Sequence, residues 1–350
     1  MTAPKTPPLS ALRQALLSLA AGDSLSESEA EAVLTEIMAG EAPPASVGGL
    51  LLAMRTRGET PAEIAGAVRA LRATMLVVPC LKRDQLVDTC GTGGGTTRTV
   101  NLSTAAAFVA AGAGVSVAKH GNRSFTSKSG SADVLEALGI SLDLSAERSA
   151  ELLDAVGLAF LFAPTYHPAM RHVASIRREL GVATLMNLIG PLANPAGAVR
   201  QVVGVADRMR APTIAAALAR LATPHALVVH ADIGMDEISP VGATSVWEVR
   251  GNIVREWTLE PAAFGLATPT LAGLEGGEPA ENAAKIEGLL RDPASAPPAL
   301  RAAVLLNAAA AVFVSGAEHD WESAVAAATS ALHHGAAAAR LDTLRRLSGR

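Results

Sequence analysis

The sequence predicts an α/β protein, with a small all-helical segment ahead of a larger unit built on a central, largely parallel sheet. Three observations carry this. Residues 9–76 place their apolar side chains at helical spacing only. From about residue 79, short β-type runs alternate with helical stretches, as strands joined by crossover helices do. From residue 281 the chain turns helical and alanine-rich again. Its 350 residues suffice for one large domain or two modest ones, and for a sizeable buried core.

The helical segment is punctuated by recognisable starts and stops. Ser26 followed by Glu29 forms a capping box ahead of Ala30, Val33, Leu34, Ile37 and Met38, and Gly40 ends that helix. Pro44 opens a second helix that stops near Gly58. Thr60, Pro61 and Glu63 supply an N-cap, a first-turn proline and a capping-box partner for a third. Helices this short are marginal alone, so they are expected to pack on each other or on a second subunit. Strands are expected at 85–89, 115–118, 158–162, 199–206, 226–230 and 246–249. Helices are expected at 103–112, 130–138, 145–156, 167–180 and 211–221.

Composition narrows the function classes. With 49% apolar and 18% charged residues the chain is not a disordered one. Aromatics at 3% argue against stacking platforms for single-stranded nucleic acid, and a net charge of −4 supplies no global field for a polyanion. Residues 99–118 carry no charge and are long enough to raise the question of a membrane span. Asn101, Ser103, Thr104, Gly112, Gly114 and Ser116 interrupt that run, so a buried helix followed by a buried strand is the better reading. The N-terminus lacks the continuous apolar core of a signal peptide. Cys80 and Cys90 are too few for a disulfide framework. A cytoplasmic protein with neither membrane nor nucleic-acid partners is expected.

Three motifs carry chemistry. Asp88-Thr89-Cys90-Gly91-Thr92-Gly93-Gly94-Gly95 follows a strand, and Asn101-Leu102-Ser103-Thr104 opens a helix soon after. Glycines let a backbone approach an anion, and a helix start adds free N–H groups and a positive dipole end. A strand before and a capped helix after favour phosphate binding over a bare glycine turn, with Ser103 and Thr104 as the capping residues. The run is neither a P-loop nor a dinucleotide fingerprint. The second motif, Lys119-His120-Gly121-Asn122-Arg123-Ser124-Phe125-Thr126-Ser127-Lys128-Ser129-Gly130-Ser131, gathers cations and hydroxyls after the next strand. Such donors suit a phosphorylated ligand. The third, Asp236-Glu237, is the kind of oxygen donor pair that Mg²⁺ takes, although the dipeptide fits a surface loop equally well.

Together these motifs resemble those of the anthranilate phosphoribosyltransferases of tryptophan biosynthesis. The resemblance extends to Ser129-Gly130-Ser131-Ala132-Asp133-Val134-Leu135-Glu136, His167-Pro168-Ala169-Met170-Arg171-His172, Asn187-Leu188-Ile189-Gly190-Pro191-Leu192-Ala193-Asn194-Pro195, Gly234-Met235-Asp236-Glu237 and Leu305-Leu306-Asn307-Ala308-Ala309. It covers nearly the whole chain, in family order. It implies a helical domain of residues 1–76 with a returning segment near 167–185, an α/β domain of residues 77–350 of the nucleoside phosphorylase/phosphoribosyltransferase type, and a homodimer.

The resemblance also implies an activity: transfer of the phosphoribosyl group of 5-phosphoribosyl 1-diphosphate to the amine of anthranilate, with release of pyrophosphate. The diphosphate substrate would be held by Gly91, Gly94, Gly95, Thr99, Asn101, Leu102, Ser103, Thr104, Lys119, His120, Gly121, Asn122, Arg123, Ser124, Phe125, Thr126, Ser127 and Ser131. Anthranilate would be held by Gly91, Asn122 and Arg177, and Mg²⁺ by Ser103, Asp236 and Glu237. No catalytic nucleophile is implied. His120, His167 and His172 either line the anthranilate path or pack helices. Gly95 stands where the family commonly has Asp, so any carboxylate role there is absent. A nucleoside phosphorylase-like enzyme, or a non-catalytic nucleic-acid-binding paralogue of the same fold, is the alternative. Lys119-His120-Gly121-Asn122-Arg123-Ser124 argues against the first, and the joint presence of Asn122, Arg177, Asp236 and Glu237 against the second.

Overall fold

The structure, a computed structural model, describes residues 9–80, 82–124 and 128–349. The chain forms two compact units. One is Met1–Met75 with His167–Ala193, the other Leu76–Tyr166 with Asn194–Arg350.

The helical unit contains Ala11–Ala20, Glu27–Met38, Pro44–Arg57 and Pro61–Thr74, joined by Arg171–Leu180 and Leu185–Ile189 from the returning segment. Both capping boxes form. Ser26 Oγ accepts the Glu29 N–H at 3.2 Å, and Glu29 Oε2 accepts the Ser26 N–H at 2.8 Å. Gly40 stops its helix with φ 81°, a conformation that favours glycine, and a Cβ there would lie 2.6 Å from the His172 ring. Glu63 does more than cap. It is fully buried, accepts the N–H groups of Leu25 and Thr60 at 2.8 Å each, and pairs with Arg57. The short helix Leu185–Ile189 is not visible in the spacing, because one turn and a half is too short to show a period.

In the α/β unit seven strands form one sheet: β1 (Val87–Gly91), β2 (Val117–Gly121), β3 (Leu158–Phe162), β4 (Arg200–Gly204), β5 (His225–Ala231), β6 (Thr244–Arg250) and β7 (Ile253–Leu259). Their order is β3-β2-β1-β4-β5-β6-β7. The strands β1 to β5 run parallel, and β6 and β7 add an antiparallel hairpin at one edge. The sequence pattern missed β7. Its side chains are exposed nearly throughout, with Arg255 and Glu256 in its middle, so no buried alternation marks it. Charges of this kind protect an edge strand from pairing with another chain.

The helix Pro298–Ser315 is apolar and long enough to cross a membrane, but 83% of it is buried within the chain, as befits a core helix. It packs with Leu102–Gly112, where small alanine side chains allow close approach. Strand order reverses at β1 and β4. In an open parallel sheet, ligands bind at such a switch point, beyond the carboxyl ends of the strands.

Candidate active site

The glycine loop leaves β1 at the switch point. Its Thr92 N–H donates to the Gly204 carbonyl at the end of β4, at 2.8 Å, and Thr92 Oγ1 accepts the Ala206 N–H at 3.2 Å. Gly93 and Gly94 turn the chain with φ 66° and 89°. The helix Leu102–Gly112 then starts, but neither Ser103 nor Thr104 caps it. Asn101 is the N-cap and makes no side-chain cap bond, because its ψ of 73° departs from the extended geometry a capping side chain needs. The Asn101 amide instead donates to the Ser129 carbonyl at 3.1 Å and accepts from Asn282 Nδ2 at 3.0 Å, which ties the helix start to the basic loop. Leu102 is buried in the hydrophobic core, so only its backbone faces the loop, and Thr104 is buried as well.

The acidic pair lies against this loop rather than on a free surface. Glu237 Oε1 accepts the Ser103 N–H at 2.9 Å and Oε2 accepts the Thr99 hydroxyl at 3.1 Å. Asp236 accepts the Gly93 N–H. Glycines make room for it. A Cβ would lie 1.6 Å from the Asp236 carbonyl oxygen at Gly204, and at Gly95 2.7 Å from Asp236 Oδ1. Thr96 N–H and Thr97 Oγ1 fix the two loops together through the carbonyls of Gly234 and Ile233, at 3.2 and 3.0 Å. The glycine loop and the acidic pair are therefore one structure.

Burial raises both carboxyl groups. Glu237 is pushed up to about 8, first by desolvation and then by the neighbouring Asp236 charge. Two such carboxylates beside the Ser103 hydroxyl form an oxygen-only donor set, which fits a hard divalent cation such as Mg²⁺. Among the described residues no group of three His, Cys, Asp or Glu forms a complete metal cage. A cation here would thus complete its shell with phosphate and water oxygens.

The basic loop divides its residues between inside and outside. Lys119 is 3% exposed and reaches from β2 to the Thr89 carbonyl and to Ser103 Oγ, the latter at 3.2 Å. Desolvation lowers its proton affinity, and the buried Asp88 carboxylate opposes that effect. Asp88 itself is raised to about 6 by desolvation. His120 is buried, and its N–H is accepted by Asp88 Oδ1 at 3.0 Å. Gly121 leaves space for Ser131, whose Oγ would lie 2.2 Å from a Cβ there, and Ser131 donates to the Asn122 carbonyl at 3.3 Å. Asn122 is exposed. Arg123 is not a waiting cation in this structure, since its guanidinium is shared by Asp133 at 2.8 Å and Glu136 at 2.5 Å. Ser124 N–H donates to Asp133 Oδ2 at 3.2 Å. Phe125, Thr126 and Ser127 lie outside the described residues.

The sequence-predicted residues thus fall into groups. Gly91, Gly95, Thr99, Ser103, Lys119, Asp236 and Glu237 come together, with Asn101 joining them to the basic loop and Gly94 shaping the turn beside them. Arg177 belongs to the helical unit. It is half-buried on Arg171–Leu180, its side chain forms no hydrogen bond or ion pair among the described residues, and burial lowers its pKa. Its neighbour Arg178 is exposed. His167 is buried and held down to about 4 by desolvation. The sequence reading passed over Asp88 and Asn194, which bond to each other at 2.8 Å beneath Lys119. The signal for Asp88 was a lone charge inside an otherwise uncharged β-type run.

Comparison with known proteins agrees with this fold. The helical bundle domain of the glycosyl transferase family matches residues 13–75, and the a/b domain of that family matches residues 83–338. The chain is similar to the anthranilate phosphoribosyltransferase of Rubrobacter xylanophilus, at 48% identity over 97% of this chain and 99% of the relative. Its structure is similar to that of the anthranilate phosphoribosyltransferase of Thermus thermophilus, with a TM-score of 0.90, 42% identity, and coverage of 98% and 100%. It is also similar to the Saccharomyces cerevisiae enzyme in complex with PRPP and Mg, with a TM-score of 0.86, 27% identity, and coverage of 98% and 99%.

Proposed function

The chain belongs to the anthranilate phosphoribosyltransferase family, and on that premise we propose how its residues carry out the transfer. The enzyme joins the anthranilate amine to C1 of the phosphoribosyl group of phosphoribosyl diphosphate (PRPP) and releases pyrophosphate, a step of tryptophan biosynthesis. One observation carries the assignment of roles: Lys119, Ser103 and Glu237 meet at the start of the Leu102–Gly112 helix, beside the glycine loop.

Departure of the diphosphate leaves positive charge on the ribose, so the main electrostatic task is to stabilise the leaving group. The Lys119 ammonium and the backbone N–H groups of Gly94, Gly95 and Leu102 are the donors for it. Thr99, Asn101, Ser103, Thr104 and Ser131 complete the PRPP set, together with the run from His120 to Ser127. Ser103, Asp236 and Glu237 would hold Mg²⁺, which neutralises diphosphate charge when bound. Gly91 and Asn122 contact anthranilate, and the Arg177 guanidinium takes its carboxylate through two parallel bonds. The arylamine is already neutral at pH 7, so no strong base is required. Much of the remaining acceleration comes from positioning two substrates.

We also propose a homodimer in the cytoplasm. Leu9, Leu17, Leu52 and Val182 are large apolar side chains exposed on the helical unit, and neither Cys80 nor Cys90 forms a disulfide. The assay that tests the function mixes the chain with PRPP, Mg²⁺ and anthranilate. Anthranilate fluorescence should disappear, and should persist when PRPP is left out. Persistence in the complete mixture, with release of base from a nucleoside and phosphate instead, would favour the phosphorylase alternative.

A further inference from the structure

The proposed roles use Lys119 but do not explain how its ammonium is held in a buried position. β1 keeps register with β4 at five residue pairs, but with β2 only at Val87↔Val117. Past that pair, side chains bridge the two strands where ladder bonds would otherwise run. Lys119 Nζ, from β2, donates to the Thr89 carbonyl of β1. Asp88 Oδ1, from β1, accepts the His120 N–H of β2 at 3.0 Å. Asn194 Nδ2 donates to both Asp88 Oδ2 and the Ala118 carbonyl, at 2.8 Å each. The remaining Asn194 oxygen accepts the Ala196 N–H at 2.9 Å. The residues on either side of Lys119, Ala118 and His120, are therefore gripped by one buried pair.

We propose that Asp88 is a positioning residue for the transfer: with Asn194 it holds β1 and β2 in this side-chain-bridged arrangement and thereby fixes the Lys119 ammonium beside Ser103. This rests on the functional reading above. Asp88 is 0% exposed and Asn194 2%, so neither has water as an alternative partner. Asp88 also supplies the buried negative charge that faces Lys119. A buried ammonium without one is costly. Asp88→Asn keeps the size and the acceptor for His120, yet sets one NH₂ group against that of Asn194. The grip and the charge are lost together.

The test is calorimetric titration of the full chain with PRPP in the presence of Mg²⁺, on the native chain, Asp88→Asn, Lys119→Met and the double variant. Asp88→Asn should weaken PRPP binding about tenfold in the native background and less than about twofold in the Lys119→Met background, because the effect passes through Lys119. Steady-state kinetics should show a raised PRPP KM with the anthranilate KM within about twofold. Native-like binding by Asp88→Asn, or the same loss in both backgrounds, overturns the proposal. If Asp88→Asn fails to fold, Asn194→Ser removes the same grip and should give the same pattern. A native chain that binds no PRPP overturns the functional reading itself, which separates the two failures.

Discussion

The two units bury carboxylates in opposite ways. In the helical unit Glu63 is fully enclosed and every demand it makes is met: two backbone N–H groups and the Arg57 guanidinium converge on it. In the α/β unit Asp88 is also enclosed and Asp236 and Glu237 are partly buried, but desolvation outweighs their partners and pushes all three carboxyls up. Among the described side chains, Lys119 is the buried ammonium that faces Asp88 and Glu237. A saturated buried charge serves the fold. A set of carboxylates left short of positive charge serves a ligand that brings it, and is the pattern expected of a functional site.

Three changes sharpen this contrast. Glu63→Gln should cost the helical unit roughly 3 kcal/mol, near the lower end for breaking a buried pair, because Arg57 is partly exposed and retains water. Denaturant unfolding reads the loss, and PRPP affinity, measured in parallel, should stay native-like. Arg177→Ala should weaken anthranilate by roughly 2–4 kcal/mol, since its guanidinium has no partner among the described residues and can engage a ligand carboxylate. The anthranilate KM should rise strongly and the PRPP KM little, with Arg178→Ala nearly silent. An equal loss for both substrates would make Arg177 structural.

The third change is pH. His167 is held down to about 4, below its ordinary value near 6.5, because burial disfavours the imidazolium. Above about 6.5 both folded and unfolded chains keep it neutral, and its contribution is complete. Between about 6.5 and 4 the unfolded chain binds a proton that the folded chain refuses, so the helical unit loses up to roughly 3 kcal/mol. Asp88 acts with the opposite sign in the α/β unit. Its carboxyl is raised to about 6, so its contribution is complete below its unfolded pKa and is lost as pH rises through about 6. Melting followed between pH 4 and 7 should therefore show His167→Gln flattening the acid loss. An unchanged profile would remove His167 from the account.

What could be read from the sequence depended on how local the physics was. Capping boxes at Ser26 and Thr60 are contained within four residues, and both formed as expected. The strand-to-glycine-loop and strand-to-basic-loop junctions are local as well, and parallel strands carried both loops to the carboxyl ends of β1 and β2. The acidic pair was ambiguous in sequence because its partners, Thr99 and Ser103, lie more than a hundred residues away. The Asp88–Asn194 bond has the same character. Arg123 looked like a free cation for phosphate, yet helix Ser131–Ala137 presents Asp133 and Glu136 to it, a pairing that becomes visible only once the loop folds back.

Thermal melting of the metal-free chain tests the central contrast most directly. Asp236→Asn combined with Glu237→Gln replaces two crowded, partly buried carboxyl groups by neutral amides of the same shape. This variant should melt a few degrees above the native chain, as roughly 1 kcal/mol of relief would give, while its turnover collapses. Glu63→Gln, the matched change in the helical unit, should melt below native with turnover kept. If the Asp236→Asn/Glu237→Gln variant instead melts below native, as Glu63→Gln does, those carboxylates are structural and the contrast between the two units is wrong.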